Sequence, residues 1–449
     1  MRPIRPRSSI AFLAVCVALG GYLLAARLWG VSDSFVLMRD QIRDWRFALG
    51  PFSALPLTGT QSTAGGSSFG PIYYWLLWII RHLVGPFTGY QPHAGAIGLS
   101  LLQTAADLVF FYAIGKRFNS LWLALTTTLL VGTSSHDLAV EAVMWNPAVS
   151  VAGVKLAMAA VLLEPPLPSL RRTVVVTMAA WCAVQAHTAA IFIAAPILGS
   201  YVLRDAFSQR ISAAAQRMRA IIEVILILQL PFLYYMFTST TEAVPMRAIA
   251  GAAEGLRVRA SFDALLNASA RIVEAPWFAH TSVVGGVIVG CAVIVMARAR
   301  KDLRLLSVTV LPVLCTGLGL SVWQGSYDEY WYLPLAPCVA LMVMMALSAF
   351  PAKYAAPVLL AVVLAVQPWR LAHSRTWYRM PEYRALSHGA RTIYRQARTV
   401  RRIDTSFPMP PLSDAGFVYE AMGGVITDAA EFDATIDAHG DVRFSRVAR

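Results

Sequence analysis

Residues 8–29, SSIAFLAVCVALGGYLLAARLW, form a long apolar segment near the start of the chain. A helix needs about 20 predominantly apolar residues to cross the hydrocarbon core of a bilayer, and this segment has that length. Segments of the same kind recur at about 95–115, 120–134, 147–163, 173–203, 220–239, 281–299, 305–323, 331–349 and 355–369. The sequence therefore predicts an all-α polytopic membrane protein.

The composition agrees with a membrane protein and argues against a soluble enzyme. Of the 449 residues, 57% are hydrophobic and 14% are charged, whereas soluble domains carry about 25% charged residues. The net charge of +13 lies mostly in short loops between apolar segments, which is typical of membrane topology and not of nucleic-acid binding. The five cysteines lie inside apolar segments without metal-binding spacing, so we expect them to be core residues.

Two segments decide the topology. Residues 71–87, PIYYWLLWIIRHLVGPF, are apolar but rich in aromatic residues, which suits a helix lying on the membrane surface. Residues 173–203 are long for one span, and we expect a tight hairpin of two. With 71–88 on the surface, the basic loops all lie on the side of the N-terminus, as the positive-inside rule requires. We therefore predict eleven spans, a cytoplasmic N-terminus and an outer C-terminal tail.

This topology divides the chain into two domains. Residues 1–369 form the transmembrane domain, and they include a long outer first loop, 30–94, with the surface helix 71–88. Residues 370–449 form a small outer domain of mixed helix and strand. Its sequence FDATIDAHGDVRFSRV predicts a hairpin that turns at His439 and Gly440.

Three carboxylates follow the first span on the outer side: Asp33, Asp40 and Asp44. Asp40 and Asp44 are four residues apart and interleaved with arginines, which favours a solvated, self-paired amphipathic helix. Asp33 comes a few residues after the membrane exit. A carboxylate at that position would face a membrane-embedded substrate as a general base or a metal ligand.

Other polar residues are predicted to gather at the same membrane level. Together with the first loop they make four distant segments, which suggests an outward-facing cavity: His136, Asp137, Glu141, Trp145, Asn146, Gln185, His187, Tyr327, Asp328, Glu329 and Tyr330. Taken singly, each of these side chains also suits a plain structural role at a helix end or in an interfacial loop.

Two charges, Asp107 and Lys155, lie within predicted spans, each about nine or ten residues from its cytoplasmic end. At 1.5 Å per residue both are roughly 14 Å deep, so we predict an ion pair between their helices. In the tail, residues 391, 395, 398 and 402 are arginines at helical spacing. This stripe suits either contact with lipid phosphates or a solvated helix face.

The order of these features resembles the GT-C superfamily of polytopic glycosyltransferases, which includes the protein O-mannosyltransferases and the aminoarabinose transferases of lipid A. In that superfamily an acidic residue, usually within an Asp-Glu pair, follows helix 1 in a long outer loop. Asp33 holds that place, with Ser34 where the second acid is expected. The family's surface helix opens with proline and aromatic residues, as at Pro71 and Tyr73, although the preceding Lys or Glu is absent here.

Three further matches favour bacterial members of the superfamily. They are Trp145-Asn146-Pro147 at the outer start of the fourth helix, Gln185-Ala186-His187 at the hairpin tip, and Tyr330-Trp331-Tyr332-Leu333-Pro334 at the opening of a late helix.

The resemblance implies a glycosyltransferase of the bacterial cytoplasmic membrane. It would move a sugar from a polyprenyl-phosphate carrier to a lipid, glycan or protein acceptor at the outer face, with Asp33 as general base. Arginines would stabilise the phosphate leaving group, with Arg39, Arg43 and Arg81 as the candidates in the first loop. Asn146 and His187 would orient substrate or hold a divalent metal, although no cofactor is assigned. The expected substrate contacts are Arg39, Asp40, Arg43, Tyr73, Arg81, Trp145, Asn146, His187, Asp328, Glu329 and Tyr330.

Two other functions stay open from the sequence. A transporter or flippase of a lipid-linked saccharide would also need an amphiphilic cavity, but its essential charges would lie near the midplane and use both faces. A GT-C-like scaffold without catalysis is the other alternative, because the second acid after Asp33 is missing.

Overall fold

The computed structural model describes residues 9–60, 67–164, 169–238, 257–273, 281–300, 302–322, 331–349, 379–409 and 414–447. Helices make up most of these residues, and the five strands lie after residue 398.

The helices follow one another along the chain with short connections. In order they are α1 Ser9–Leu28, α2 Val31–Ser34, α3 Arg39–Leu49, α4 Ile72–Leu83, α5 Gly85–Thr88, α6 His93–Phe118, α7 Leu121–Gly132, α8 Ser135–Ala142, α9 Asn146–Leu162, α10 Leu170–Ala186, α11 Ile191–Phe207, α12 Ile211–Thr238, α13 Val258–Val273, α14 Thr281–Ala299, α15 Leu303–Ser307, α16 Val310–Leu320, α17 Ala336–Leu347, α18 Tyr383–Gln396 and α19 Ala415–Ala421.

Five of the described helical segments are long and apolar enough to cross a membrane: Phe12–Ser34, His93–Phe118, Thr188–Phe207, Ile211–Thr238 and Leu303–Leu320. Shorter apolar helices are Leu121–Gly132, Asn146–Leu162, Gly285–Ala299 and Leu333–Leu347. The chain is thus a multi-pass helical protein. Eleven spans and the sidedness of the termini stay predictions, and the last predicted span, 355–369, lies outside the described residues.

The predicted division of 173–203 into two helices is confirmed. α10 ends at Ala186, a short 3-10 turn follows at Thr188–Ala190, and α11 begins at Ile191. The two helices pack against each other, and α10 also packs along α9 and α12.

The aromatic segment after residue 70 forms two helices instead of one. α4 ends at Leu83, Val84 interrupts the segment, and α5 begins at Gly85. One face of α4 packs on α3 and α6, and the large apolar side chains Ile79, Leu83 and Phe87 are exposed. Such a face suits the membrane interface, and the placement of these helices on the outer surface stays a prediction.

The C-terminal region combines helices with two small sheets. β1 Thr399–Val400 pairs in parallel with β3 Val425–Ile426, and β2 Arg402–Thr405 pairs in parallel with β4 Phe432–Ile436. β4 and β5 Val442–Arg446 form the predicted antiparallel hairpin. Gly440 takes a φ of 86° in its turn, a conformation that glycine adopts without steric cost.

The predicted arginine stripe is wrong in its second half. Helix α18 ends at Gln396, so Arg398 and Arg402 do not share a helix face with Arg391 and Arg395. Arg398 stacks over the Tyr394 ring at 3.7 Å, and Arg402 forms an ion pair with Asp404.

Two hydrophobic cores organise the described chain. One lies inside the helix bundle and includes buried side chains of α6, α7, α9, α10, α11 and α17. The other joins the first loop and the start of α6 to the C-terminal region, with Trp45, Tyr73, Leu99, Tyr383 and Phe417 among its members. The C-terminal region thus shares its apolar interior with the first loop.

The predicted ion pair is confirmed and belongs to a larger buried cluster. Lys155 Nζ lies 2.8 Å from Asp107 Oδ1, and Arg27 Nη2 lies 2.5 Å from Asp107 Oδ2. Asp137 Oδ2 lies 3.4 Å from Lys155 and 3.7 Å from Arg27, and all four side chains are at most 1% exposed. Asp137 was expected in the outer polar group. It lies inside instead, because α8 packs back against α1, α6 and α9.

In the buried cluster, two acids and two bases neutralise one another. Exchanging Asp107 and Lys155 would be unfavourable, because a Lys at 107 would face Arg27 and an Asp at 155 would face Asp137. We expect Asp107→Asn to destabilise the chain by about 3–5 kcal/mol, because it leaves an uncompensated buried charge. The double variant Asp107→Asn/Lys155→Gln removes one charge of each sign and should recover part of that loss. Size-exclusion yield and thermal unfolding in detergent measure both, and a double variant no better than the single one would contradict the cluster's charge balance.

Candidate active site

Asp33 lies on the single-turn helix α2, directly after α1. Gly30 precedes this turn with a φ of 70°, which lets the chain change direction at the end of α1. The next residue, Ser34, accepts a hydrogen bond from the Met380 backbone N–H at 3.1 Å, and its Oγ accepts one from Arg379 Nη1 at 3.1 Å. Ser34, which replaces the expected second acid, therefore holds the C-terminal region against the end of α1.

Asp33 faces a cavity of about 650 Å³ between α2, the start of α6 and the C-terminal region. The lining residues are Ser32, Asp33, His93, Pro381, Arg384, Ala385, Ser387, His388, Arg391, Ala438 and His439. The Asp33 side chain is exposed, and within the described residues no cation lies at salt-bridge distance from it. Its carboxylate is thus available to a molecule in the cavity.

Helix α18 forms one wall of this cavity and is fixed to the start of α6. The Ser387 hydroxyl donates to Gln91 Oε1 at 2.7 Å, and the Tyr383 hydroxyl lies 3.1 Å from His93 Nδ1. The β4–β5 turn closes the wall, since a Cβ on Gly440 would lie 3.0 Å from the Ala385 carbonyl oxygen. These contacts set the distance between α18 and Asp33.

A second group of predicted residues meets at the α10–α11 hairpin tip. Asn146 Nδ2 donates to the Ala186 carbonyl at 2.5 Å, and the His187 and Trp331 rings lie 5.2 Å apart. Gln185 Nε2 donates to the Leu228 carbonyl at 2.6 Å, and Gly70 lies directly against the Gln185 side chain. The structure therefore brings Asn146 and the α10–α11 hairpin tip together with Trp331, whereas the predicted outward-facing cavity stays a prediction. Trp145 is half-buried at the start of α9.

The amphipathic helix α3 is self-paired as predicted, but Asp44 is buried and not solvated. Arg43 lies 3.1 Å from Asp40 and 2.8 Å from Asp44. The Tyr73 and Tyr74 hydroxyls lie 3.2 Å from the two Asp44 oxygens. Burial raises the pKa of Asp44 to about 6, although Arg43 acts to lower it.

Tyr73 is fully buried, and its hydroxyl has its partners within the fold. It donates to the Met144 carbonyl at 2.5 Å while lying 3.2 Å from Asp44 Oδ2. One hydroxyl hydrogen cannot serve both acceptors. Protonation of Asp44 would supply the second hydrogen, which agrees with the raised pKa of this carboxyl group.

The three arginines expected to meet the phosphate do not line the Asp33 cavity. Arg43 is paired with α3 carboxylates, and Arg81 lies beside His82 and over the Tyr90 ring at 5.2 Å. Arg39 is exposed on α3. Instead, Arg384, His388 and Arg391 line the cavity. The sequence analysis named Arg391, as part of the arginine stripe, but not Arg384 or His388, although the three share one helix face by their i, i+4, i+7 spacing.

Three predicted substrate contacts lie outside the described residues: Asp328, Glu329 and Tyr330. A fourth, Asp40, is exposed on α3 and bound to Arg43. Within the described part of the chain, no group of three His, Cys, Asp or Glu side chains is arranged to hold a metal ion.

Comparison with solved structures finds this architecture in ArnT from Cupriavidus metallidurans, a lipid A aminoarabinose transferase. The crystal structure bound to undecaprenyl phosphate is 12% identical, with a TM-score of 0.57 over 94% of this chain and 87% of that one. The apo crystal structure is 13% identical, with a TM-score of 0.57 over 96% and 93%. The chain has the GT-C fold.

The resemblance seen in the sequence is thus confirmed at the level of the fold. The GT-C fold extends over nearly the whole of both chains, including the C-terminal region. The arabinofuranosyltransferase AftD from Mycobacteria is a weaker match, 14% identical with a TM-score of 0.39 over 91% of this chain and 30% of that one. No protein-family profile and no curated protein sequence matches the chain.

The raised pKa of Asp44 predicts that the free energy of unfolding depends on pH. Its pKa is about 6 in the folded chain and near 4 in an unfolded one, so the folded state binds more protons between these values. This contribution is fully present below about pH 4 and is lost as the pH rises through 6. From pH 4.5 to 7.5, we expect the unfolding midpoint of the wild type to fall relative to that of Asp44→Asn. Parallel curves would contradict this, and Asp263→Asn, which removes an exposed acid on another helix, is the control.

The close packing of Gly70 against Gln185 at the α10–α11 hairpin tip predicts that a larger residue at position 70 will clash. A Cβ there would lie 2.5 Å from Gln185 Cδ, and Gln185 is held by its bond to Leu228. Gly70→Ala should lower the unfolding midpoint, and Gly70→Ala/Gln185→Ala should recover part of the loss. Gly199→Ala, where a Cβ meets nothing within 4 Å, is the matched control and should be neutral or stabilising. No recovery in the double variant would exclude the contact as the cause.

Proposed function

We propose that the chain is a glycosyltransferase of the bacterial cytoplasmic membrane. It moves a sugar from a polyprenyl-phosphate-linked donor to a lipid, glycan or protein acceptor at the outer face. The GT-C fold supports this class of reaction, and the ArnT crystal structure with undecaprenyl phosphate supports the type of donor. The eleven-span topology, with the C-terminal region on the outer side, is part of the proposal.

The observation that carries the proposal is the position of Asp33. Its carboxylate faces the cavity just beyond α1, and within the described residues no cation lies at salt-bridge distance from it. A general base must reach the proton it removes and must not be occupied by a structural partner. Among the carboxylates at the start of the first loop, Asp40 and Asp44 are bound to Arg43, so Asp33 is the one suited to this role.

The reaction follows from these groups. Asp33 accepts the proton of an acceptor hydroxyl while that oxygen attacks the anomeric carbon of the donor sugar. The bond between this carbon and the phosphate oxygen breaks, and the electron pair leaves with the polyprenyl phosphate. Attack from the side opposite the phosphate inverts the anomeric configuration. Negative charge grows on the phosphate during the step, so cationic groups near it lower the barrier.

The alternative of a transporter or flippase for a lipid-linked saccharide has less support. A transporter needs charged groups inside the membrane that can exchange partners. The buried charges Arg27, Asp107, Asp137 and Lys155 instead neutralise one another away from solvent. The exposed, unneutralised carboxylate lies at one end of the bundle, as a one-sided transferase requires.

The variant Asp33→Asn tests the proposal. It keeps the size of the side chain and removes the base, so we expect transfer to fall by roughly 10²–10⁴-fold. A deletion strain is complemented with the wild type, with Asp33→Asn or with the control Asp263→Asn, an exposed acid that does not line the cavity, and mass spectrometry measures its envelope lipids, polysaccharides and glycoproteins. The control should restore the wild-type composition. If Asp33→Asn folds, inserts and restores it equally well, the catalytic hypothesis is wrong, which would favour a scaffold without catalysis.

A further inference from the structure

Helix α18 presents a basic face to the Asp33 cavity. Arg384, His388 and Arg391 follow one another at i, i+4 and i+7, so their side chains lie on one side of the helix. All three are exposed and line the cavity. The opposite side of α18 is buried in the core shared with the first loop, through Leu386, Ala390 and Ile393. The helix is thus oriented by its apolar side, and its basic side is directed at Asp33.

Four other arginines of the C-terminal region have partners of their own. Arg401 binds Asp433, Arg402 binds Asp404, Arg446 lies 4.0 Å from Glu431, and Arg398 stacks over Tyr394. By contrast, within the described residues no carboxylate lies at salt-bridge distance from either of the two cavity arginines. The cavity lining carries two arginines against one acid, Asp33. It therefore has a surplus of positive charge that an anion would neutralise.

The two arginines project from a backbone that is already fixed. Ser387, between them in sequence, is bound to Gln91, and the Met380 N–H just before the helix is bound to the Ser34 carbonyl, one residue after Asp33. Arg384 and Arg391 therefore keep a set position relative to Asp33. Two arginines on a backbone that is held in place are well suited to a phosphate, because each guanidinium group can donate two parallel hydrogen bonds to its oxygens.

We propose that Arg384 and Arg391 form a phosphate clamp for the lipid-linked donor. This assignment rests on the function proposed above and names residues of the C-terminal region as part of the donor site. The donor is a phosphodiester with one negative charge, and the released lipid phosphate is a monoester that carries more. The surplus of positive charge in the cavity therefore binds the leaving group more tightly as the bond to the sugar breaks, and this difference lowers the barrier.

The clamp makes two arginines of the C-terminal region part of the donor site. The acceptor proton goes to Asp33 on one side of the sugar, and the electron pair of the broken bond goes to the phosphate held by α18 on the other. Arg395 lies one turn beyond Arg391 on the same helix and is exposed, but it does not line the cavity. It offers a matched control, because its removal changes the net charge of the helix equally.

The test measures binding and not transfer. The full chain is placed in nanodiscs, and native mass spectrometry follows its occupancy by undecaprenyl phosphate, with undecaprenol as the neutral probe. We expect Arg384→Gln and Arg391→Gln each to weaken phosphate binding by roughly tenfold, and the double variant by more, since a hydrogen bond to a charged group contributes an effect of this size. Undecaprenol binding should not change. Arg395→Gln should stay within about twofold of the wild type.

Competition with inorganic phosphate tests whether the two arginines recognise the phosphate group of the lipid or bind only free phosphate. If it competes with undecaprenyl phosphate and this competition needs both arginines, the clamp recognises the phosphate group of the lipid. If inorganic phosphate binds through the arginines while the lipid phosphate does not, the donor assignment is overturned. Equal losses in Arg395→Gln and in the cavity variants would also overturn it, because they would show a general effect of surface charge. The variant Arg384→Lys/Arg391→Lys keeps the charge and should retain part of the binding.

Asp33→Asn separates this inference from the proposed function. Removing the acid leaves the arginines in place, so undecaprenyl phosphate should bind at least as well as to the wild type. If Asp33→Asn abolishes transfer and the arginine variants bind normally, the clamp is wrong and the proposed function stands. If the arginine variants lose binding while Asp33→Asn still restores the envelope, the clamp stands and the assigned base is wrong.

Discussion

The position of the candidate site depends on a cluster of four buried charges that joins helices of the bundle. Arg27, Asp107, Asp137 and Lys155 are buried on four different helices, α1, α6, α8 and α9. A buried charge without a partner costs several kcal/mol, so these helices can pack in few arrangements that satisfy all four. α1 leads directly to Asp33, α6 begins with the residues that hold α18, and α8 leads to Asn146 at the hairpin tip. The neutral cluster thus sets the positions from which the site is built.

The second constraint is the shared core between the first loop and the C-terminal region. Tyr383, Leu386 and Phe417 are buried together with Trp45 and Tyr73, which lie more than 300 residues earlier in the chain. Because this core is joint, the C-terminal region is held over the end of α1 by apolar burial as well as by the Ser34 and Gln91 hydrogen bonds. The consequence is a cavity whose acid comes from one end of the chain and whose arginines come from the other.

Much of this could be predicted from local sequence, and the misses have identifiable causes. The membrane class, the hairpin at 173–203, the pair Asp107–Lys155 and the β4–β5 hairpin follow from apolar length, charge depth and strand alternation, which depend on nearby residues. The burial of Asp44 depends on two tyrosines about 30 residues away, and Asp137 turns inward because α8 folds back on the bundle. Arg384 was missed, and Arg391 was left between contact with lipid phosphates and a solvated helix face, because spacing alone does not distinguish a solvated face from a cavity wall.

The sequence by itself determined that the chain is a multi-pass helical protein, that a carboxylate follows the first span, and that several segments between the apolar helices carry polar residues. These properties are fixed by the length of apolar segments and by the cost of charge in hydrocarbon, both of which act locally. The tertiary structure decided which carboxylate is unpaired and which arginines face it. That choice depends on contacts between Asp33, Ser34, Gln91 and α18, and it arises because burial of distant apolar faces brings the two ends of the chain together.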